Sequence, residues 1–288
     1  MENDYKRVCE DVSITTRIAT VGAADPDHDQ SVEANALKRS PLAAVQFDTS
    51  HGAQESRELN IGYFSRMVRG TPWVRVKTAA SLDGTTALHN GASQWITSRA
   101  ARVDGHAWRA RACAVLTGIG TVLDDNPRLN VREVPTPKQP AVVVVDSRLQ
   151  TPLNAHVLMT GRQCFIYAAV QDSAKQAALE DRGAQVIYLP NAAGKVDLAA
   201  MLKDLGRRGI NELHVEAGHK LNGSMVREGL VDELLVYLAP RLLGSGLGMT
   251  NWGPLTALAD GLQLQFESVE MVGSDLRVIA RVEGRDNF

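Results

Sequence analysis

Val74-Arg75-Val76-Lys77-Thr78-Ala79-Ala80-Ser81-Leu82-Asp83-Gly84 and, close behind, Gly91-Ala92-Ser93-Gln94-Trp95-Ile96-Thr97-Ser98 decide the fold. The first run opens with alternating apolar residues, as a strand does, carries Lys77, and breaks into a polar loop. The second ends in Thr97-Ser98, a pair of hydroxyl residues suited to cap a helix. A strand that opens into a polar loop and then a helix builds ligand sites. The loop offers hydroxyls and amides, and the helix start offers unpaired N–H groups to an anion.

Outward from there the pattern alternates. A helix is expected over residues 98–112, with Ala100, Val103, Ala107 and Ala110 as its buried stripe and Arg102, His106 and Arg109 on another face. Strands are expected at 115–118, 141–145, 164–168, 185–189 and 212–215, with helices between them capped by Asp172 and Asp197. Strands at 233–238, 262–272 and 276–282 close the chain, the last two as a hairpin through Gly273-Ser274-Asp275. Alternation followed by a hairpin implies an α/β protein with a mostly parallel central sheet and antiparallel C-terminal strands. Before residue 70 the apolar content is thin. It predicts short strands at 17–22 and 43–47 and a helix over 56–68 with Leu59, Tyr63 and Met67 on one face.

Bulk properties remove several function classes. The 31 basic and 33 acidic residues leave a formal charge of −2, without the basic excess of a nucleic-acid binder. The longest apolar runs are strand-sized, too short to span a bilayer, and no export signal is visible at residues 1–4. Cys9, Cys113 and Cys164 are scattered and odd in number, which suits a reducing cytoplasm. His214-Val215-Glu216 matches the H-x-E of zinc deaminases only superficially, because no P-C-x-x-C accompanies it. No metal site is expected.

Sheets of this kind bind ligands at the C-terminal ends of their strands. Ser81, Asp83, Thr117, Thr121, Asp146, Ser147 and Glu216 all fall at such ends, although turn chemistry alone would favour the same residue types. Glu216-Ala217-Gly218 ahead of a helix suits a phosphate or pyrophosphate, since Gly218 lets the backbone approach closely. Arg109 and Arg132 would suit a dianionic phosphate if the 127–131 loop folds back towards the helix.

Several motifs then occur in order: Lys77 to Gly84, Ser93 to Ser98, Gly120-Thr121-Val122-Leu123-Asp124-Asp125-Asn126-Pro127-Arg128-Leu129, Val144-Val145-Asp146-Ser147, Val215-Glu216-Ala217-Gly218, Gly229-Leu230-Val231-Asp232-Glu233-Leu234 and Ala239-Pro240-Arg241-Leu242-Leu243-Gly244. Together they resemble the reductase half of the bifunctional riboflavin-biosynthesis deaminase-reductases. The resemblance implies a dihydrofolate-reductase-like three-layer fold, a homodimer and NADPH as hydride donor. It implies reduction of the ribosyl group of 5-amino-6-(5-phosphoribosylamino)uracil to a ribityl chain. Carried over by position, Ser93, Arg109, Leu129, Arg132 and Glu216 line the substrate site. Ala79, Trp95, Thr121, Asp125, Ser147 and Gly218 match cofactor-contacting positions, and Lys77 and Glu216 are the catalytic candidates. Arg148 is a candidate for the cofactor 2′-phosphate.

Residues 1–69 depart from that family. They resemble only the tail of its zinc deaminase domain plus a linker helix, so deamination is not expected here, and a separate deaminase is a candidate partner. The reductase is expected over 70–288. Two alternatives stay open: a reductase acting on the undeaminated diamino-pyrimidinone phosphate, and a catalytically silent nucleotide-binding dimer module.

Overall fold

Apolar runs and turn residues sort the chain into alternating strands and helices. The computed structural model describes residues 53–288 apart from Thr160. The strand expectations at 17–22 and 43–47, and Cys9, lie outside the described residues. The chain divides into two units at Asn60/Ile61. In the first, the described part is helix α1 (Ala53–Leu59), where the Asn60 side chain donates back to the Ser56 carbonyl at 2.9 Å.

The second unit begins with α2 (Ile61–Arg69). The single helix expected over 56–68 is therefore two, and the linker helix sits within the larger unit. Its buried face is Ile61, Gly62 and Ser65, while Tyr63 and Met67 are about half exposed, so the expected apolar face was the wrong one. Close approach decides this. A Cβ on Gly62 would stand 2.6 Å from the Asn211 carbonyl oxygen, and Ser65 donates to the Thr71 carbonyl.

The strands and helices that follow are β1 (Trp73–Ser81), β2 (Thr85–Ala87), α3 (Arg99–Arg111), β3 (Ala114–Gly118), α4 (Ile119–Asp125), β4 (Ala141–Val145), β5 (Cys164–Ala168), α5 (Ser173–Glu180), β6 (Ala184–Tyr188), α6 (Leu198–Arg207), β7 (Glu212–Val215), α7 (His219–Arg227), β8 (Glu233–Ala239), β9 (Leu247–Gly248), β10 (Leu264–Val272) and β11 (Asp275–Val282). Ser98, Asp172 and Asp197 cap their helices through side-chain acceptors, as their chemistry predicts.

Nine of the described strands form one sheet in the order β10-β11-β8-β1-β7-β3-β4-β5-β6. The seven from β8 to β6 run parallel, β11 runs antiparallel to β8, and β10 runs antiparallel to β11. One face packs Val74, Val76, Leu116, Val143 and Leu213 against Met201, Leu202 and Leu205 of α6 and Met225 of α7. The other face packs Val142, Val144 and Ile166 against Val122 of α4 and Leu179 of α5. On that same side α3 lies over Leu235 and Tyr237. The result is the expected three-layer α/β sandwich. Among the described residues no helix is long and apolar enough to cross a membrane.

A charged layer beneath one helix forms the candidate active site

Helix α3 does not bury the expected stripe. Ala100 and Ala107 are exposed, and the buried residues are Ala101, Gly105 and His106. The reason lies in the sheet below. Period-two alternation puts Arg75 and Lys77 of β1 on this face beside Glu212 and His214 of β7, with Arg75 paired in register to His214. Burying such groups is costly unless each finds a partner, so α3 turns its polar face inward.

At the N-terminal end of this layer Arg75 is fully buried. It donates to Glu233 and, at 2.9 Å, to Glu212, with its guanidinium 4.4 Å from the Trp108 ring centre. Burial alone would lower its pKa, but the two carboxylates raise it above the usual arginine value. Arg111 and Arg281 add further contacts to Glu212 and Glu233.

At the C-terminal end Arg109 grips Glu216 with two arms. Its Nε donates to one carboxylate oxygen and its Nη2 to the other at 2.8 Å, while Nη1 donates to the Asn130 carbonyl at 3.2 Å. Each nitrogen of Arg109 makes one of these bonds, and the last of them, with the Arg132 N–H bonded to His106, brings the 127–131 loop back onto α3 beside Arg109. Burial would raise the Glu216 carboxyl, but the Arg109 charge, its hydrogen bonds and the Lys77 charge hold it well below the usual carboxylate range. Lys77 stands 5.9 Å from the Tyr237 ring centre. Burial lowers its pKa, Arg109 adds to the lowering, and Glu216 opposes it without cancelling it.

Sequence reasoning set His214 aside as part of a coincidental H-x-E on a strand. It is fully buried, with Nε2 3.5 Å from Glu216, and neither ring nitrogen has a hydrogen-bond partner among the described residues. Burial, against the pull of Glu216, lowers it to about 3. His106 is lowered to about 4 by burial and by Arg109 and Arg132, against Glu216 and Glu133. Free histidines protonate near 6.5, so the unfolded chain takes up protons that the fold refuses as the pH drops below that value. Stability should therefore fall from about pH 6.5 towards pH 4, by about 1.4 kcal/mol per pH unit for each histidine. Urea midpoints at pH 7 and pH 5 check this, and equal midpoints would refute it.

The other expected positions separate into groups. Gly218 and Gly118 are the N-caps of α7 and α4, and neither helix has a side-chain cap. A Cβ on Gly218 would meet Thr121 Oγ1 at 3.9 Å, so Thr121 lies beside the start of α7. Asp125 ends α4 one turn beyond Thr121, about 6 Å along the axis and on the same face of the helix. Ser147 accepts from the Val196 N–H at 3.1 Å. Trp95 is mostly exposed, with Arg102 4.4 Å from its ring centre. Ala79 pairs with Tyr237, Ser93 is half-buried in its loop, and Arg148 is exposed. The Leu129 side chain is buried in the core, and its carbonyl accepts from Arg162 at 2.9 Å.

The loops after β1 and β8 are tied together by Asp83, which accepts from Ser81 and from the Gly244 N–H at 2.7 Å. A separate cavity of about 210 Å³, bounded by Arg69, Pro72, Leu202 and Asp232, opens at the opposite end of the sheet, away from Lys77 and Glu216. Among the described residues no cluster of His, Cys, Asp and Glu could hold a metal.

The family profile described as RibD C-terminal domain matches residues 72–278. The chain belongs to that family. It is 37% identical over 284 residues to the riboflavin biosynthesis protein RibD of Escherichia coli, covering 93% of this chain and 76% of the relative. It is 34% identical over 268 residues to RibD of Aquifex aeolicus, covering 93% of this chain and 74% of the relative. The solved Acinetobacter baumannii RibD superposes with a TM-score of 0.71 at 33% identity, covering 80% of this chain and 63% of that one. The chain thus spans about three quarters of these relatives and under two thirds of the solved protein. The sheet and its antiparallel C-terminal pair are the dihydrofolate-reductase-like fold of this family, as the motifs implied.

Proposed function

We propose that this chain is the NADPH-dependent reductase that converts the ribosyl group of 5-amino-6-(5-phosphoribosylamino)uracil to ribityl in riboflavin biosynthesis, in the cytoplasm. The observation that carries the reading is Lys77, with its lowered pKa, set beside a carboxylate that Arg109 holds ionised. An acid and a fixed anion side by side suit the opening of a ribosylamine. Lys77 gives a proton to the ring oxygen as the C1′–O bond breaks and the nitrogen lone pair forms C1′=N, leaving a cationic iminium that keeps its N–H and is neutralised by hydride at C1′; Lys77 regains its proton from solvent. Glu216 accepts from sugar hydroxyls and keeps Lys77 charged until transfer. Arg132, exposed at the end of its loop, meets the 5′-phosphate together with Arg109 of α3.

The fit for NADPH rests on the glycine at the start of α7. The first N–H groups of α7 are uncapped, and Gly218 leaves room for a pyrophosphate beside Thr121. Once bound there, the dinucleotide supplies the hydride that C1′ accepts. The protein's remaining task is to hold C1′ in line with it. The reading is tested by NADPH oxidation with the deaminated substrate and, in parallel, with its undeaminated precursor. Oxidation with the first is expected. NADPH binding without oxidation of either would leave only a nucleotide-binding module.

The assembly we propose is a homodimer through the sheet face opposite α3. A register shift between Phe266 and Ser268 keeps Leu264, Phe266, Val269 and Met271 on one face of the edge strand β10. Phe266 is 75% and Met271 66% exposed. Leu276 and Val278 of β11 and Val236 of β8 continue the same face by register. An apolar sheet face of this extent on an edge strand calls for a partner. Phe266→Asp should convert the dimer to a monomer in light scattering. A wild-type monomer at micromolar concentration would dismiss the assembly.

A further inference from the structure

The stretch from Arg128 to Arg132, between α4 and β4, adopts a shape it would not choose alone. Asn126 and Leu129 have φ of 42° and 50°, in the left-handed region, where a leucine crowds its own backbone. Such a residue persists only when its surroundings over-determine it. Here they do so residue by residue. Arg162, from the turn before β5, donates to the Arg128 carbonyl and, at 2.9 Å, to the Leu129 carbonyl. Arg109 donates to the Asn130 carbonyl. Gln139 closes on Val131 from both sides, accepting from its N–H at 2.8 Å and donating to its carbonyl at 2.9 Å. His106 Nδ1 accepts from the Arg132 N–H at 3.3 Å. The Leu129 side chain, sunk in the core, pins the middle.

Surface loops ordinarily leave such groups to water. This one is held by four side chains from three separate parts of the chain, yet the Arg132 side chain at its end is exposed and reaches Asn130 Oδ1 at 3.3 Å. We infer that Gln139, Arg162 and His106 are positioning residues, which hold the loop so that the Arg132 guanidinium is presented, preorganised, to the phosphate of the substrate. The inference rests on the reading of Arg132 given above and extends it to residues that touch no ligand. His106 fits the role as a neutral ring. Its Nδ1 must carry a lone pair to accept the Arg132 N–H, and burial with the Arg109 and Arg132 charges keeps a second proton off.

The test is a double-mutant cycle on the whole chain, with kcat and KM for the phosphorylated substrate as readouts. Arg132→Ala is expected to raise KM about tenfold or more with little change in kcat, since it removes one charge-assisted contact made equally throughout the reaction. Gln139→Ala should raise KM by a similar factor. Combined with Arg132→Ala it should add almost nothing, because both changes remove the same contact. Gln139→Glu, which keeps the acceptor for Val131, should recover part of the loss and serves if the alanine variant fails to fold. Arg162→Lys should likewise fall between wild type and Arg162→Ala. A role limited to stability would lower the melting temperature and leave KM alone, or change KM equally with and without Arg132; either result overturns the inference. If Arg132→Ala itself leaves KM unchanged, the phosphate assignment fails first.

Discussion

Lys77→Met should lower kcat by about 10²–10⁴-fold, the usual contribution of a positioned acid-base group, while leaving the fold intact. Lys77 sits mid-strand, paired with Leu235 in register, and its side chain lies against the Tyr237 ring. Methionine replaces most of that contact, so the change removes the charge and little of the packing. The wild-type pH profile follows from the same group. As a general acid it acts protonated, so kcat should hold at low pH and fall as pH rises through a value below the 10.5 of a free lysine. Single-turnover NADPH oxidation at saturating substrate reads both effects. A variant that kept more than about a tenth of wild-type kcat would transfer the proton's source to another group.

The largest loss of stability is expected from Arg75→Met. The change strands two carboxylates, Glu212 and Glu233, which are 7% and 2% exposed. Removing one member of a buried ion network costs about 3–5 kcal/mol because a charge is left uncompensated in a poorly solvated place. Arg111 and Arg281 still reach those carboxylates, which sets the expectation at the lower end. The check is the urea midpoint of the variant against wild type. Adding Glu212→Gln should return part of the loss, since it removes one stranded charge whose remaining partner, Arg111, is a third exposed, while Glu233 keeps Arg281. A loss below about 1 kcal/mol for the single variant would mean that water reaches this layer.

Both predictions concern the charged layer under α3, the part of the molecule least legible in the sequence. The apolar strands at Ala141–Val145 and Cys164–Ala168 could be read because continuous apolar runs have few other uses. Asp172 and Asp197 could be read because capping is a local act between a carboxylate and an N–H three residues on. The motifs carried Lys77, Arg109 and Glu216 to one site, and the structure places them together. The same motifs did not reveal that Arg109 pairs with Glu216 or that the Leu129 side chain is sunk in the core. Nor did anything in the pattern mark Gln139 or Arg162, whose partners are backbone atoms that every sequence has.

Local chemistry thus settled on its own where the chain turns, which runs form strands, and which family of folds they build. Which face of α3 is inside, and what each charged residue holds, was decided only when β1 and β7 came to lie side by side. Arg75 and Glu212 are 137 residues apart, and Arg109 and Glu216 are 107 apart. A buried charge takes whichever opposite charge the topology brings within reach, and that choice has no period or spacing along the chain.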